Sequence, residues 1–522
     1  MKKLSLFLTK CFYVMFLIFP LGFGICASGW VTINALMGKN IVNSGYFRDI
    51  GFQNPVLCTV IAVVLLAGLY VLTFRYGGKL FEKHFAIAPV LGFVLALIPR
   101  LTLFFVFRSV MTPYSDGRYA WYGAQGTAPE RLAVKVLQNG WNNFTGLLRY
   151  LITNFNIEYT TFMFFVFVAD ALIAVAVYFI AVEIIQDKRA GFIAAALYAL
   201  NPSILAREFY MSPDIIAQLG VAVAVLLLIK MFREKKNLNI VFYALLAGCS
   251  AGLANGFKSV ARVLVVAVFI VAVIKLMQDG ITVKRIVPLL LSFVVFTAMS
   301  LGINKVGLKC SSYVLGTECR DLNTWHFINV GLNPYGGGLV SHGEGHYYNH
   351  LITAGVDPDE ARGLLFEKLA KDWSEADITV AEFTYGKART AWRNDIRNFS
   401  KQMFNSVERE KMNQLQHSTW QLMLATTPML SQLWHTVTML LALLGTLHIF
   451  IKRLENSGAF LISLHTFGFA LMLLISEVQA RYKSNIIHLI AVLAAIGLWR
   501  IYTRKNSTDA VDTDTEKEKV RS

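Results

Sequence analysis

The chain has 522 residues, of which 55% are hydrophobic and 16% are charged, and its mean hydropathy is +0.52. This composition excludes an ordinary soluble domain. Apolar runs recur as far as residue 502, and many are long enough for a bilayer-spanning helix, which needs about 20 residues. The net charge of +16 lies mainly in the short loops between these runs, so we expect no nucleic-acid partner.

These runs predict an all-α polytopic membrane protein with about twelve transmembrane helices. The first run follows three lysines but lacks a small-residue cleavage site, so we expect a retained helix rather than a signal peptide. The predicted spans are 11–36, 55–74, 86–108, 161–185, 190–206, 213–232, 239–254, 259–277, 286–304, 431–451, 458–476 and 484–502.

Basic residues of the short loops predict the orientation, because loops rich in Lys and Arg stay in the cytoplasm. With twelve spans, all the basic clusters fall on one side of the membrane: Lys2/Lys3, Arg75/Lys79/Lys83, Lys188/Arg189, Arg233/Lys235/Lys236, Lys284/Arg285, Lys452/Arg453 and Arg504/Lys505. We therefore expect both termini in the cytoplasm. The segments expected outside are 109–160, 207–212, 305–430 and 477–483.

The predicted organisation has four parts. Residues 1–304 are expected to form nine transmembrane helices and an external catalytic loop, 109–160. Residues 305–430 are expected to form a mainly helical extracytoplasmic domain. Three more spans follow at 431–502, and a disordered cytoplasmic tail at 503–522. Apolar spacing predicts further helices at 129–141, 357–373 and 386–405.

The first candidate for chemistry is Asp116, in the stretch TPYSDGRYAWYGAQ that follows the third span. A carboxylate close to the membrane surface could accept a proton from an incoming hydroxyl. The alternative is an ordinary loop aspartate that caps a turn. Nearby aromatic residues, among them Tyr119 and Trp121, are typical of the membrane interface without any catalytic role.

Charged residues of a short turn between the fifth and sixth spans form a second candidate. Glu208 and Asp214 must lie at the interface or face a cavity, because exposure to hydrocarbon is costly. Asp214 directly precedes an apolar run, so it is equally suited to capping the N-terminus of the sixth span. Both a substrate-binding and a structural role stay open at this stage.

Cations are the third candidate. Lys258 and Arg262 are four residues apart, and on one helix they would lie one turn apart, where they could bind a lipid phosphate or extend to lipid headgroups. Arg481 and Tyr482 lie between the last two spans, on the same predicted side.

His342, His346 and His350 recur every four residues in SHGEGHYYNH. On a helix this spacing would align three imidazoles for a divalent metal, although two neighbouring glycines disfavour a regular helix there. A solvated His-rich loop is the other interpretation.

Two pairings are also predicted. Arg100 and Asp170 fall near the middle of neighbouring spans, where an ion pair would neutralise both charges. Cys310 and Cys319 lie close together in the expected extracytoplasmic region, so a disulfide between them is one possibility.

Taken together, the motifs resemble the GT-C superfamily of polyprenyl-phosphate-sugar-dependent glycosyltransferases. The likeness is to bacterial relatives of the protein O-mannosyltransferases and of the lipid A aminoarabinose transferase, which are glycosyltransferase family 39-like proteins. It rests on an acidic residue in the first large loop, a P-D turn, a GLA…K segment, GLNPYGGG at 331–338 and a late RY. The chain departs from the pattern because its acidic loop follows the third span, and because no second acid adjoins Asp116.

The resemblance implies roles for individual residues. Asp116 would be the catalytic base, Asp214 and the nearby Glu208 would form the pocket, and Lys258, Arg262 or Arg481 would neutralise the lipid phosphate. Tyr482 belongs to the same late motif, and Tyr119 could stack on a sugar ring.

The expected function is therefore an inverting membrane glycosyltransferase. It would move a sugar from a polyprenyl-phosphate donor, undecaprenyl phosphate in a bacterial plasma membrane, to a hydroxyl of a cell-wall glycan, a glycolipid or a protein. A divalent metal is a possible cofactor. Two alternatives remain: a polysaccharide polymerase or ligase with a lipid-diphosphate donor, and a non-enzymatic transporter of lipid-linked sugars.

Overall fold

A computed structural model describes residues 1–37, 55–77, 81, 86–127, 141–319, 323–337, 346–393 and 406–503. Within these ranges the protein is helical, and the sole β-type pairing is an isolated antiparallel bridge between Met111 and Val407. This confirms the predicted all-α polytopic class. Ten helices of the described part are long and apolar enough to cross a membrane, and a shorter apolar helix follows them at Ile487–Thr503.

The described helices occur in the following order along the chain. The first half contains α1 (Lys2–Phe16), α2 (Phe23–Leu36), α3 (Pro55–Val71), α4 (Ile87–Phe107), α5 (Ser115–Gln125), α6 (Asn142–Phe155), α7 (Tyr159–Ile185), α8 (Lys188–Ala199), α9 (Pro202–Arg207), α10 (Asp214–Arg233) and α11 (Asn237–Phe257). The second half contains α12 (Arg262–Asp279), α13 (Val283–Leu315), α14 (Asn323–Leu332), α15 (Tyr347–Thr353), α16 (Pro358–Glu375), α17 (Val380–Arg393), α18 (Gln414–Lys452), α19 (Ser457–Ile475) and α20 (Ile487–Thr503).

The predicted fifth span, 190–206, is divided into two helices. α8 ends at Ala199, and α9 begins at Pro202, whose ring lacks the N–H that a continuing helix would need. The Asn201 side chain accepts a hydrogen bond from the Ser203 N–H and so caps the new helix. The chain thereby turns at the end of the bundle, and Glu208 and Asp214 follow this turn.

Two long helices run past the predicted domain boundaries. α13 continues beyond residue 304 as far as Leu315, and α18 begins at Gln414, well before residue 431. An Asn413–Gln416 capping box starts α18. The predicted 357–373 helix is found as α16, with Asp357 accepting from the Asp359 N–H at its start. The 386–405 prediction corresponds in part to α17; residues 394–405, the whole of 129–141 and the tail beyond 503 lie outside the described residues.

Helices α7, α8, α10 and α20 form the centre of the bundle, and their side chains are mostly buried. α3 and α13 lie at the periphery and expose apolar side chains, as expected of lipid-facing helices. A separate small core is formed by Tyr348 of α15 with Ala361, Leu365 and Leu369 of α16. The polar region between α13 and α18 therefore contains packed helices of its own.

Candidate functional site

The predicted pair in the middle of the bundle is confirmed and belongs to a larger buried cluster. Arg100 Nε donates to Asp170 Oδ2 at 2.8 Å, and Arg100 Nη1 donates to the carbonyls of Ala96 and Ala199 at 2.8 and 3.1 Å. Glu208 Oε1 lies 2.8 Å from Arg100 Nε, and all three charged side chains are fully buried. Arg207 Nη2 lies 3.6 Å from Asp170 Oδ1, so two cations balance two carboxylates inside the bundle, which gives the cluster a structural role.

This location changes the interpretation of Glu208. The resemblance implied that Glu208 contacts the substrate, whereas its side chain is fully buried against Arg100. It ties the turn after α9 to the middle of α4. Glu208 is thus placed to hold the turn that leads to Asp214 rather than to line the site.

A second polar group lies at the end of the bundle where α10 begins. Asp214 and Lys258 form an ion pair in which the aspartate side chain is 14% exposed and the lysine side chain 25% exposed. Lys258 Nζ also lies 4.8 Å from the centre of the Tyr482 ring. Arg207 and Arg481 are near enough to act electrostatically on the Asp214 carboxylate.

Lys258 and Arg262 do not share a helix face, so this detail of the sequence prediction is wrong. α11 ends at Phe257, Lys258 is extended, and a short 3₁₀ turn, Ser259–Ala261, precedes α12. The break directs Lys258 towards Asp214, while Arg262 Nη1 donates to Thr324 Oγ1 at 2.9 Å. Arg262 therefore links the bundle to α14.

Arg481 and Tyr482 complete the group on a 3₁₀ turn, Ala480–Asn485. The Arg481 guanidinium lies over the rings of Tyr210 and Tyr482, at 5.6 and 5.5 Å from their centres. The Tyr482 hydroxyl donates to Glu477 Oε2 at 2.7 Å. Burial and the neighbouring Glu477 raise the pKa of Tyr482 well above its usual value, so the phenol stays protonated.

The helix that carries Asp116 packs next to this group. Asp116 is the second residue of α5, and a Cβ on the following Gly117 would lie 2.4 Å from the Met211 carbonyl oxygen. Only glycine permits this approach. It brings the start of α5 against the turn that joins Glu208 to Asp214; Tyr119 lies one helical turn further on, beside the Arg118 guanidinium at 5.6 Å.

The three histidines are only partly described. His342 lies outside the described residues, and His346 and His350 have their ring centres 6.5 Å apart. The His346 ring also stacks on His326 at 5.5 Å, and burial together with His346 lowers the pKa of His326 to about 4. Within the described ranges, no three His, Cys, Asp or Glu side chains are arranged to hold a metal ion. The metal site stays a prediction.

The cysteine pairing is wrong. Cys310 is exposed on α13, whereas Cys319 is buried beyond the end of that helix, and both thiols are free. The Cys319 thiol instead lies 3.7 Å from the Thr317 carbonyl oxygen.

Sequence reasoning missed Lys387, which is fully buried in α17 and donates to two backbone carbonyls. A signal was available. Phe383, Lys387 and Ala391 recur every four residues, so the lysine occupies the apolar face of an amphipathic helix.

Two comparisons with known proteins found a similarity. A family model described as dolichyl-phosphate-mannose-protein mannosyltransferase matches residues 148–306. Among solved structures, the chain is similar to the archaeal oligosaccharyltransferase AglB from Archaeoglobus fulgidus, which is in complex with an inhibitory peptide and a dolichol-phosphate. That pair is 13% identical with a TM-score of 0.45, over 83% of this chain and 52% of the other.

The chain thus spans about half the length of the solved structure that it matches. No curated protein sequence matches it significantly. The family match covers the turn with Glu208 and Asp214 and the break at Lys258, two of the features on which the motif resemblance rests. Over residues 148–306 the chain is therefore similar to the dolichyl-phosphate-mannose-protein mannosyltransferases.

Proposed function

We propose that this protein transfers a sugar from a polyprenyl-phosphate donor to an acceptor hydroxyl, with inversion at the anomeric carbon. The observation that carries the proposal is the grouping of Asp214, Lys258, Arg481 and Tyr482 at one end of the bundle, beside α5, whose second residue is Asp116. This grouping supports the proposal because charged side chains at the end of a membrane bundle must face water, lipid headgroups or a bound ligand.

The reaction is a direct displacement. The acceptor oxygen attacks the anomeric carbon, Asp116 takes the hydroxyl proton, and the bond to the phosphate oxygen breaks with its electron pair going to the leaving phosphate. Lys258 and Arg481 neutralise that charge as it develops. Because an ammonium has three donors, the pairing with Asp214 leaves Lys258 able to contact the phosphate.

Asp214 positions Lys258 in this mechanism. Their ion pair holds the ammonium at the break between α11 and α12, and the Tyr482 ring supports it from the other side. We further propose that this end of the bundle faces away from the cytoplasm, as the basic loops predict, and that the acceptor is a cell-wall glycan, a glycolipid or a protein.

The test is release of sugar from a synthetic polyprenyl-phosphate mannose by purified protein, with glucose and galactose analogues in parallel. Asp116→Asn should lower the turnover by a factor of about 100 or more while leaving donor binding nearly unchanged, because the base acts on the acceptor. Asp279→Asn is the matched control, since Asp279 is 46% exposed at the end of α12 and pairs with Lys275.

Two outcomes would redirect the proposal. Full activity of the Asp116→Asn variant would refute the assigned base. Activity that disappears with a chelator and survives in Asp116→Asn would favour a metal-dependent reaction at His346 and His350. Activity with a lipid-diphosphate donor and none with the lipid-phosphate donor would favour the polymerase or ligase alternative.

A further inference from the structure

Lys387 of α17 is buried in a way that is rare for lysine. Its side chain has no exposed surface, and Nζ donates to the carbonyl oxygens of Gly331 at 2.5 Å and Ser476 at 2.7 Å. Lysine is almost never fully buried unless its ammonium is paired. These bonds join α17 to the end of α14 and to the segment that follows α19.

The segment at Ser476–Glu477 is held from a second direction as well. The Glu477 N–H donates to the Phe327 carbonyl at 2.9 Å. A Cβ on Gly331 would lie 2.2 Å from the Ser476 carbonyl carbon, so α14 approaches this backbone as closely as glycine allows. The position of Glu477 is therefore fixed by α14 and by the ammonium of Lys387.

Glu477 in turn holds the aromatic ring of the candidate site. The Tyr482 hydroxyl donates to Glu477 Oε2 at 2.7 Å, and the Tyr482 ring lies against both Lys258 and Arg481, at 4.8 and 5.5 Å. A continuous series of contacts thus runs from a buried lysine of the polar region to the two cations at the end of the bundle.

We infer that Lys387 is a positioning residue for the cation site: through the Ser476–Glu477 backbone it sets the place of the Tyr482 ring, and so of Lys258 and Arg481. Lys387 does not itself touch the substrate. Its role as a determinant of phosphate binding rests on the proposed function, whereas its control of the 476–486 segment does not.

The inference predicts coupling between two residues that do not touch. Lys387→Met removes both hydrogen bonds of the lysine, and Tyr482→Phe removes the hydroxyl that bonds to Glu477 and to Arg481. If both act through Glu477, each single variant should bind undecaprenyl phosphate about tenfold more weakly than wild type, and the double variant should be no weaker than the poorer single one. Lys387→Arg keeps the charge and the donors, so it should restore most of the affinity.

The experiment measures undecaprenyl phosphate affinity for the folded fraction of each variant in detergent. It also measures amide hydrogen exchange of residues 476–486 by mass spectrometry. Lys368→Met is the matched control, because Lys368 is a partly buried lysine of the polar region that pairs with Asp372 at 2.9 Å. We expect faster exchange at 476–486 in Lys387→Met and wild-type exchange in Lys368→Met.

Unchanged exchange in Lys387→Met, or affinity losses that add in the double variant, would overturn the inference. Wild-type protein that does not bind undecaprenyl phosphate at all would refute the proposed function instead. The exchange measurement would still decide the role of Lys387 in that case.

Discussion

Substitution of Asp170 by Asn should destabilise the protein by about 3 kcal/mol, because it leaves a buried cation without its partner. Asp170 accepts two hydrogen bonds from Arg100 and one from the Tyr198 hydroxyl at 2.6 Å, and its Oδ1 lies 3.6 Å from Arg207 Nη2. Removing one partner of a buried ion pair costs about 3–5 kcal/mol. Glu208 remains beside Arg100 in the variant, so the lower end applies.

The assay is reversible unfolding in mixed micelles by titration with SDS, followed by tryptophan fluorescence. Glu183→Gln is the control: Glu183 pairs with Arg233 at 2.5 Å, but the two side chains are 27% and 43% exposed. Exposed pairs contribute below about 1 kcal/mol. A loss in Asp170→Asn no larger than in Glu183→Gln would refute the reasoning.

A double variant tests whether the cost comes from the unpaired charge. Arg100→Met combined with Asp170→Leu removes both charges and leaves Arg207 to balance Glu208. We expect its loss of stability to be smaller than the sum of the two single losses by about 2 kcal/mol or more. Additive losses would show instead that each side chain contributes mainly through packing.

Two further predictions concern the first long loop and the polar region. Gly117→Ala places a Cβ 2.4 Å from the Met211 carbonyl oxygen, so α5 must move by about 1 Å. In the sugar-release assay kcat should then fall by a factor of about 10–100. The control is Gly363→Ala, where a Cβ meets nothing within 4 Å, and it should retain the wild-type kcat. Burial lowers the pKa of Lys387 to about 7, below its value of 10.5 in an unfolded chain. Between these two pH values the unfolded state binds more protons than the folded state. The free energy of unfolding should therefore rise with pH over this range. Melting curves at pH 7, 8 and 9 should show this rise in wild type and not in Lys387→Met; equal pH dependence in both would contradict the assigned cause.

The sequence was sufficient for the class of fold because hydrophobic length is a strong and local signal. Spans such as α7 and α10 were predicted to within about two residues at each end. The break between α8 and α9 was not predicted, although Asn201 and Pro202 supply both a cap and a missing donor. The signal was missed because apolar residues continue on both sides of Asn201 and Pro202, so the whole segment was predicted as one span.

The candidate site was predictable in its residue types but not in its contacts. Asp214 and Lys258 were selected from motifs, and the structure brings them together. Their contact depends on the break in the chain at Lys258, which a helical spacing argument could not supply. Glu208 was selected for the same reasons as Asp214, yet its depth in the bundle depends on Arg100, about a hundred residues earlier in the chain.

The backbone pairing between the two polar segments has a consequence for biosynthesis. The Thr112 N–H donates to the Ser406 carbonyl, and the Glu408 N–H donates to the Val110 carbonyl. The extended segment leading into α5 is therefore held by residues about 295 positions later. At a synthesis rate of about 5–20 residues per second, the ribosome reaches that partner roughly 15–60 s after it has passed Asp116. The proposed base therefore acquires its final support only after more than half of the chain has been inserted, and a nascent chain that stops before residue 406 would present Asp116 without it.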